Sequence, residues 1–256
     1  MKGPRPWLVK VGGAICDEPR LRAMFSRSCA SLKAPLVVVH GGGKQANRVQ
    51  QAFGGEPRFV QGRRVTAPSD LTAVEMALSG VVNRVIVRDL IRAGRRAVGV
   101  SGCDAAMLRC HLVEGLGLVG RPSLAEPKLL EDLLAAGYTP VVSPISLGPS
   151  GEGVNVNADE AASALALALR CERLLLLSDV SGVIVGGVTR EEITAQQVAA
   201  LVSSGEIHDG MVPKLLAATA AAVGGVEDVR IAGFDGAALG STGGTRLLAA
   251  LGAASV

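Results

Sequence analysis

Residues 36–43 read Leu-Val-Val-Val-His-Gly-Gly-Gly, an apolar run that ends in His and three glycines. Apolar runs of this kind are typical of strands buried on both faces of a parallel sheet. Comparable runs occur at 7–11, 97–100, 138–145, 174–177 and, as the last predicted strand, 228–232. Helical patterns separate them, at 18–31, 44–53, 68–93, 127–136, 159–169, 194–204 and 211–223. This alternation predicts an α/β fold, a three-layer α/β/α sandwich with a mostly parallel central sheet.

Composition excludes several classes of protein. The 256 residues fit one large α/β domain, and short hairpins are expected in 108–121 and at Gly186-Gly187. Aromatic residues are 2% of the chain and the net charge is +3, so neither a nucleic-acid nor a membrane partner is expected. Five cysteines without CxxC spacing, and no signal-peptide pattern, predict free thiols in a cytoplasmic protein. No apolar stretch reaches the ~18 residues of a membrane span.

The ends of the predicted strands locate the ligand site, because ligands of such sheets bind beyond the carboxyl ends of the strands. Those ends are Gly12-Gly13, Gly41-Gly42-Gly43, Ser101-Gly102 and Ser178-Asp179. Glycine amides at a helix N-terminus can hold an anion. One such loop is more often a tight turn, whereas two on the same sheet favour a phosphate site. The spacing is neither GxGxxG nor GxxxxGK[ST], so dinucleotide and P-loop fingerprints are absent.

Two lysines stand where a lysine is unfavourable. Lys10 interrupts an apolar strand, so it either reaches solvent with its long side chain or faces an anion. Its place two residues before the Gly12-Gly13 pair favours the anion. Lys214 lies in the first turn of the helix that begins near Gly210-Met211, where the helix dipole opposes a cation. It is either an ordinary surface lysine or a second contact of the same polyanion.

Three polar residues precede the Ala-rich helix. Asn155, Asn157 and Asp159 alternate along the chain, which places them on one side if the segment is extended. Asn and Asp are favoured helix N-caps. Capping accounts for one of the three residues and leaves two without a structural explanation.

In this order the motifs resemble those of the amino acid kinase family, from Lys10 nearly to the end of the chain at Gly244-Thr245-Arg246. Within the family they are most similar to the branch that acts on N-acetyl-L-glutamate. The stretches that carry the resemblance are Lys10-x-Gly-Gly, His40-Gly-Gly-Gly, Arg64-Val-Thr, Asn155-x-Asn-Ala-Asp159, Ser178-Asp-Val-x-Gly182 and Gly210-Met-x-x-Lys214.

The resemblance implies a role for each matching residue. Lys10 and Lys214 would be catalytic and neutralise the transferred phosphoryl group, with Asp159 holding both. Arg64 would bind the α-carboxylate of the substrate. The other implied substrate-binding residues are Gly42, Gly43, Asn155 and Asn157, and the implied phosphate- or nucleotide-binding residues are Gly12, Gly13, Gly41, Ser178, Asp179, Gly210 and Met211. ATP would bring Mg²⁺ on its phosphates, because no His, Cys or Asp grouping has metal-ligand spacing.

The implied reaction is ATP-dependent phosphorylation of the γ-carboxylate of N-acetyl-L-glutamate, a step of arginine biosynthesis. Alternatives are a sister kinase for N-succinylglutamate or carrier-linked aminoadipate, and a non-catalytic nucleotide-binding relative. Cys103 and Ala105 stand where relatives often carry Lys and Gly. Cys103 is either close to substrate or a small packed thiol. His40 is expected to be structural, and His111 and His208 need no role.

The resemblance also bears on assembly. We expect one domain over 1–256, with a substrate-side lobe at about 1–172 and a nucleotide-side lobe at about 173–256. Arginine-inhibited members carry an N-terminal helix that links dimers into a hexameric ring, whereas Pro4 and Pro6 oppose a helix here. A homodimer insensitive to arginine is therefore expected. Its interface would use the 68–93 helix, with Val74, Met76, Ala77, Leu78, Val81 and Val82 available.

Overall fold

A computed structural model describes residues 4–207, 210–241 and 243–249. Its strands are β1 (Trp7–Val11), β2 (Leu36–His40), β3 (Phe59–Val60), β4 (Arg63–Arg64), β5 (Ala97–Ser101), β6 (Leu108–Leu112), β7 (Val119–Ala125), β8 (Thr139–Ser143), β9 (Ile145–Leu147), β10 (Gly153–Val156), β11 (Arg173–Ser178), β12 (Ile184–Val185), β13 (Val188–Thr189), β14 (Glu192–Thr194), β15 (Asp228–Gly233) and β16 (Thr245–Leu248). Its helices are α1 (Gly13–Asp17), α2 (Pro19–Ser31), α3 (Gly43–Ala52), α4 (Pro68–Glu75), α5 (Asn83–Arg92), α6 (Lys128–Ala135), α7 (Ala158–Ala168), α8 (Ala195–Ser203) and α9 (Met211–Val223).

An eight-stranded sheet forms the middle layer, in the order β14-β16-β15-β11-β1-β2-β8-β5. The six strands from β15 to β5 are parallel, and β16, which lies between β15 and the edge strand β14, runs antiparallel to β15. The predicted α/β/α sandwich with a mostly parallel sheet is confirmed. The prediction that 228–232 is the last strand was wrong, because Thr245–Leu248 returns after the Gly-rich loop and pairs with β15.

The pleat of the sheet separates two cores. Leu8 packs on one face with Leu165 of α7 and Leu215 of α9. Val9 packs on the other face in a cluster with side chains of α2 and α5. Successive side chains of a strand point to opposite faces, so Lys10 shares the face of Leu8 and points toward α7 and α9.

A small closed barrel, β10-β7-β6-β9, stands beside the sheet. The apolar run 138–145 was predicted as one strand, but the structure divides it at Pro144 between β8 of the sheet and β9 of the barrel. Proline has no N–H to donate to a strand partner, which suits it to this change of sheet. The barrel carries Asn155 on β10.

The predicted 68–93 helix is continuous, but α4 and α5 are joined by a π-helical segment, Met76–Val82. Of the residues expected at a dimer interface, Met76 and Val81 are exposed. The other four are packed inside this chain, so that part of the prediction was wrong; they are Val74, Ala77, Leu78 and Val82. The helix needs its apolar side to cover the sheet and α3, which leaves less of it for a partner.

Candidate active site

Two lysines and one aspartate meet at the carboxyl end of β1. Lys10 Nζ lies 3.0 Å from Asp159 Oδ1, and Lys214 Nζ lies 2.9 Å from the same oxygen. Asp159 is in the first turn of α7 and Lys214 in the first turn of α9, so three elements converge on one point. All three side chains are buried. Lys10, which is unfavourable in an apolar strand, is therefore paired with a carboxylate 149 positions further along the chain.

The pKa values of these three residues shift in different directions. Burial is the largest influence on Lys10 and acts to lower its pKa, but the charge of Asp159 and the hydrogen bonds of the ammonium group together outweigh it, and the pKa is raised. Burial likewise acts to raise the pKa of Asp159, yet the two ammonium groups prevail and lower it. Burial and the charge of Lys10 lower the pKa of Lys214 to about 8. One carboxylate thus serves two cations, and the site keeps an uncompensated positive charge that an anion would neutralise.

The two glycine loops lie against this group. A Cβ on Gly12 would stand 3.0 Å from Lys10 Nζ, so a larger residue there would crowd the ammonium. Gly13 has φ +37°, a left-handed conformation that favours glycine, and its Cα lies 3.9 Å from the position of a Cβ on Gly43. A Cβ on Gly42 would stand 2.2 Å from Leu78 Cδ2. Both loops therefore need glycine so that their backbones can approach each other and the helix behind them.

His40 supports the second glycine loop. It is fully buried, and burial lowers the pKa of His40 to about 4, so the ring is neutral near pH 7. The amide nitrogen of Asn83 donates to its Nε2 at 3.1 Å, which leaves Nδ1–H to donate to the carbonyl of Gly41 at 2.9 Å. The expectation of a structural His40 agrees with these contacts.

A cavity of about 140 Å³ opens on one side of the lysine group. Its lining combines glycine backbone, amides and two arginines, and includes Gly41, Gly42, Gly43, Phe59, Arg63, Arg64, Asn155 and Asn157. The hairpin β3–β4 forms one wall of it. A Cβ on Gly62, in the turn of this hairpin, would stand 2.6 Å from Pro213 Cγ and 3.7 Å from Gly210 Cα. The hairpin therefore touches the start of α9, the helix that carries Lys214.

Asn155, Asn157 and Asp159, at the start of the Ala-rich helix α7, make different contacts. Asn157 is the N-cap of α7, since its Oδ1 accepts from the backbone N–H groups of Asp159 and Glu160 at 2.8 and 3.2 Å. Asn155 is buried and donates to Thr66 Oγ1 at 3.2 Å. Asp159 holds the lysines. Asn157 therefore caps the helix and also lines the smaller cavity, as Asn155 does, while Asp159 pairs with the lysines.

A second cavity, of about 520 Å³, opens on the other side of the glycine loops. Ser178 and Asp179 line it, together with Ala14, Ile15, Phe234, Asp235 and Gly244. The Asp179 carboxylate accepts from the N–H of Ala14 at 3.5 Å and lies beside Gly13. Gly210 and Met211 are not in this lining, and Met211 packs against the core instead. Gly210 lies against the hairpin that forms one wall of the smaller cavity.

Some residues of the site carried no recognised signal in the sequence. Asn47 and Gln50 of α3 accept hydrogen bonds from Arg64, and the ring of Phe59 lies 4.7 Å from Arg64 Cζ. Gln50 is fully buried and falls four residues after the buried Ala46, on the inner face of α3. A polar residue on a buried helix face was the available clue.

Other candidates lie apart from the lysine group. Cys103 is half-buried against Ala46, Val74, Ala77, Leu78 and Ile145, and burial raises the pKa of its thiol to about 11. The five cysteines are free thiols, as predicted. His208 and Asp209 lie outside the described residues.

The described residues show neither a cluster of metal ligands nor a membrane-spanning helix. Across 4–207, 210–241 and 243–249, no group of three or more His, Cys, Asp or Glu side chains could hold a metal ion. Over the same residues, no helix has the length and apolar character needed to cross a membrane.

An α/β/α sheet with buried lysines at glycine-lined strand ends, between two cavities, defines a protein built to hold phosphate groups. The sequence profile of the amino acid kinase family matches residues 5–233, and the chain belongs to that family. It is 42% identical to the acetylglutamate kinase of Roseiflexus sp. (strain RS-1) over 237 residues, covering 91% of this chain and 90% of that one. It is 44% identical to the acetylglutamate kinase of Rubrobacter xylanophilus over 222 residues, 87% of each chain.

A solved structure gives the same fold. The crystal structure of smu.665 from Streptococcus mutans UA159 superimposes with a TM-score of 0.83 at 25% identity, covering 96% of this chain and 99% of that one.

Proposed function

We propose that this protein transfers the γ-phosphoryl group of ATP to the γ-carboxylate of N-acetyl-L-glutamate. A carboxylate oxygen bonds to the γ-phosphorus while the bond to the β–γ bridging oxygen breaks, yielding the acyl phosphate and ADP. The observation that carries the proposal is the buried Lys10–Asp159–Lys214 group, which lies between two cavities at the glycine loops. The similarity of the chain to acetylglutamate kinases indicates the substrate, and arginine biosynthesis is the expected pathway.

The two lysines suit phosphoryl transfer. The transition state is loose and spreads negative charge over the phosphoryl oxygens, so catalysis requires positioning and positive charge. Lys10 and Lys214 both point to one carboxylate oxygen, and that fixes their ammonium groups near a common point. Asp159 keeps them in place before the substrates arrive. No general base is needed, because a γ-carboxylate is already ionised near pH 7.

The smaller cavity suits the acylamino acid. Arg64 would bind its α-carboxylate, since a planar guanidinium matches a carboxylate with two parallel hydrogen bonds. Asn155 and the amides of Gly42 and Gly43 would orient the rest of the molecule. The cavity volume of about 140 Å³ fits a small acyl group better than a carrier-linked substrate.

The larger cavity suits the nucleotide. Ser178 and Asp179 line it, and Gly13 lies beside the Asp179 carboxylate. The backbone amides of Gly12, Gly13 and Gly41 would bind the phosphate groups that extend from this cavity toward the lysines. Mg²⁺ would arrive with ATP, bound chiefly by phosphate oxygens, since Mg²⁺ commonly keeps phosphate and water ligands. In this arrangement 1–172 carries most of the acylamino-acid site and 173–256 most of the nucleotide site.

We also propose a homodimer. Met76 and Val81 on the 68–92 helix are 49% and 44% exposed, so they offer apolar surface to a second copy of the chain. Light scattering at assay concentration, compared with a Met76→Lys/Val81→Lys variant, tests it. A wild-type monomer, or a variant that remains dimeric, would contradict this interface.

A substrate panel tests the proposed reaction. ADP release is followed with N-acetyl-L-glutamate, N-succinyl-L-glutamate, N-acetyl-L-aspartate and free glutamate, with Lys214→Ala as the inactive control. We expect the highest kcat/KM with N-acetyl-L-glutamate. A preference for the succinyl compound would identify a sister kinase. ATP binding without turnover of any of these acids would point to a non-catalytic relative.

A further inference from the structure

The guanidinium of Arg64 is held entirely by neutral groups. Nη1 donates to Gln50 Oε1 at 2.7 Å, and Nη2 donates to Asn47 Oδ1 at 2.5 Å. The ring of Phe59 lies 4.7 Å from Cζ. Arg64 is buried, with 8% of its surface exposed, and it lines the smaller cavity. Within the described part of the chain, this buried cation therefore has no carboxylate as a hydrogen-bond partner.

The adjacent arginine shows the contrast. Arg63 forms an ion pair with Glu160 of α7, and both side chains are largely buried. Among the residues that the structure describes, no carboxylate oxygen lies within 4.0 Å of the Arg64 guanidinium. Burial lowers the pKa of Arg64, and the more distant charge of Asp70 acts against that shift. A buried arginine is usually paired, so the absence of a near carboxylate at Arg64 calls for an explanation.

The orientation of Gln50 is set by this contact. Arginine has only donors, so the amide must present its oxygen. Its Nε2 is then buried without a hydrogen-bond partner among the described residues. A buried unpaired amide donor is costly, which means that the Gln50–Arg64 contact is kept against a local penalty.

We infer that Asn47 and Gln50 are positioning residues that fix the Arg64 guanidinium without neutralising it, reserving its charge for the α-carboxylate of the substrate. This inference rests on the proposed function. A glutamate at 50 or an aspartate at 47 would hold the arginine equally well, but would occupy the charge that the substrate must meet. Neutral amides hold the Arg64 guanidinium in position and leave its attraction for the substrate carboxylate intact.

Isosteric substitutions can distinguish holding the Arg64 guanidinium in place from leaving its charge unneutralised. Gln50→Glu and Asn47→Asp keep the size of each side chain and add one negative charge beside Arg64. We expect the KM and the calorimetric Kd for N-acetyl-L-glutamate to rise roughly 10- to 100-fold, the range for losing a charge-assisted contact. The KM for ATP should stay unchanged. Tm should stay level or rise, because a buried cation gains a counter-ion.

Gln51→Glu is the matched control, since Gln51 is the exposed neighbour on the same helix. It adds the same charge to α3 away from Arg64 and should leave both KM values unchanged. An unchanged acetylglutamate KM in Gln50→Glu and Asn47→Asp would overturn the inference. So would a raised KM with a lowered Tm in both, because the amides would then be merely structural.

Failure of the proposed function has a different signature. If the wild-type protein does not phosphorylate N-acetyl-L-glutamate, the proposed reaction is wrong. If the wild type is active and Arg64→Gln leaves the acetylglutamate KM unchanged, the reaction stands and the inference about Arg64 and its anchors falls.

Discussion

Replacing Asp159 with asparagine would leave two buried lysines without their shared counter-ion. Both Nζ atoms lie within 3.0 Å of Asp159 Oδ1, so they are close to each other as well. Those two distances put the Nζ atoms no more than about 6 Å apart, and two like charges at that limit repel by roughly 3 kcal/mol at an effective dielectric constant of about 20. Removing one partner of a buried ion pair costs about 3–5 kcal/mol. We therefore expect Asp159→Asn to lower the free energy of unfolding by about 3–5 kcal/mol at pH 7.

The loss should depend on pH in a definite direction. Without the carboxylate, burial and mutual repulsion are unopposed, so the pKa of Lys214 falls further below its ordinary range and the pKa of Lys10, raised in the wild type, falls below its ordinary range as well. Above those lowered pKa values and below the unfolded value of ~10.4, the unfolded chain binds more protons than the folded one. The stability of the variant therefore rises with pH over that window, and its deficit relative to wild type should be smaller at pH 9 than at pH 7.

Urea unfolding followed by circular dichroism at both pH values measures the effect without substrates. Asp132→Asn is the control, because Asp132 forms an exposed pair with Lys128 and its side chain is 61% exposed. That substitution should change the unfolding free energy by less than about 1 kcal/mol. A loss of less than about 1 kcal/mol for Asp159→Asn at pH 7, or a deficit that grows with pH, would refute the argument.

The remaining predictions concern the reaction and one strained turn. Lys214→Ala should lower kcat by at least ~100-fold with a smaller effect on the acetylglutamate KM, because its contact is made chiefly in the transition state; near-normal steady-state kinetics would remove it from the site. Since the pKa of Lys214 is about 8, the wild-type kcat/KM should fall above that pH as the ammonium deprotonates. In a Lys214→Arg variant that keeps some activity, the alkaline fall of kcat/KM should shift to higher pH, because the arginine pKa is higher. If the fall does not shift, it belongs to another group. Arg64→Lys should raise the acetylglutamate KM by about tenfold or more and spare ATP, since one ammonium cannot replace the fork; equal effects on both substrates would contradict the role. Ala105 has φ +53°, so Ala105→Gly should raise the urea-derived unfolding free energy by about 0.5–1 kcal/mol, and a decrease would show that the left-handed turn carries no strain.

The sequence alone determined the class of fold and the edge of the sheet where the site lies. Apolar runs such as 36–40 have a period and a length that local chemistry dictates, and the glycines after them mark where strands turn into helices. Lys10 and Lys214 could be singled out because each contradicts its local surroundings, one in an apolar strand and the other at a positive helix end. A local contradiction is visible in a sequence without any knowledge of contacts.

Only the tertiary structure shows which residues the lysines and arginines of the site contact. That one oxygen of Asp159 would serve both lysines depends on how α7 and α9 pack on β1, which no local pattern encodes. Local chemistry does not tell Arg63 from Arg64, yet their side chains leave the hairpin β3–β4 in different directions, one to Glu160 and the other to the amides of α3. The physical reason is that hydrogen bonds and ion pairs act over about 3 Å, whereas the groups they join are separated along the chain by distances that only packing can close.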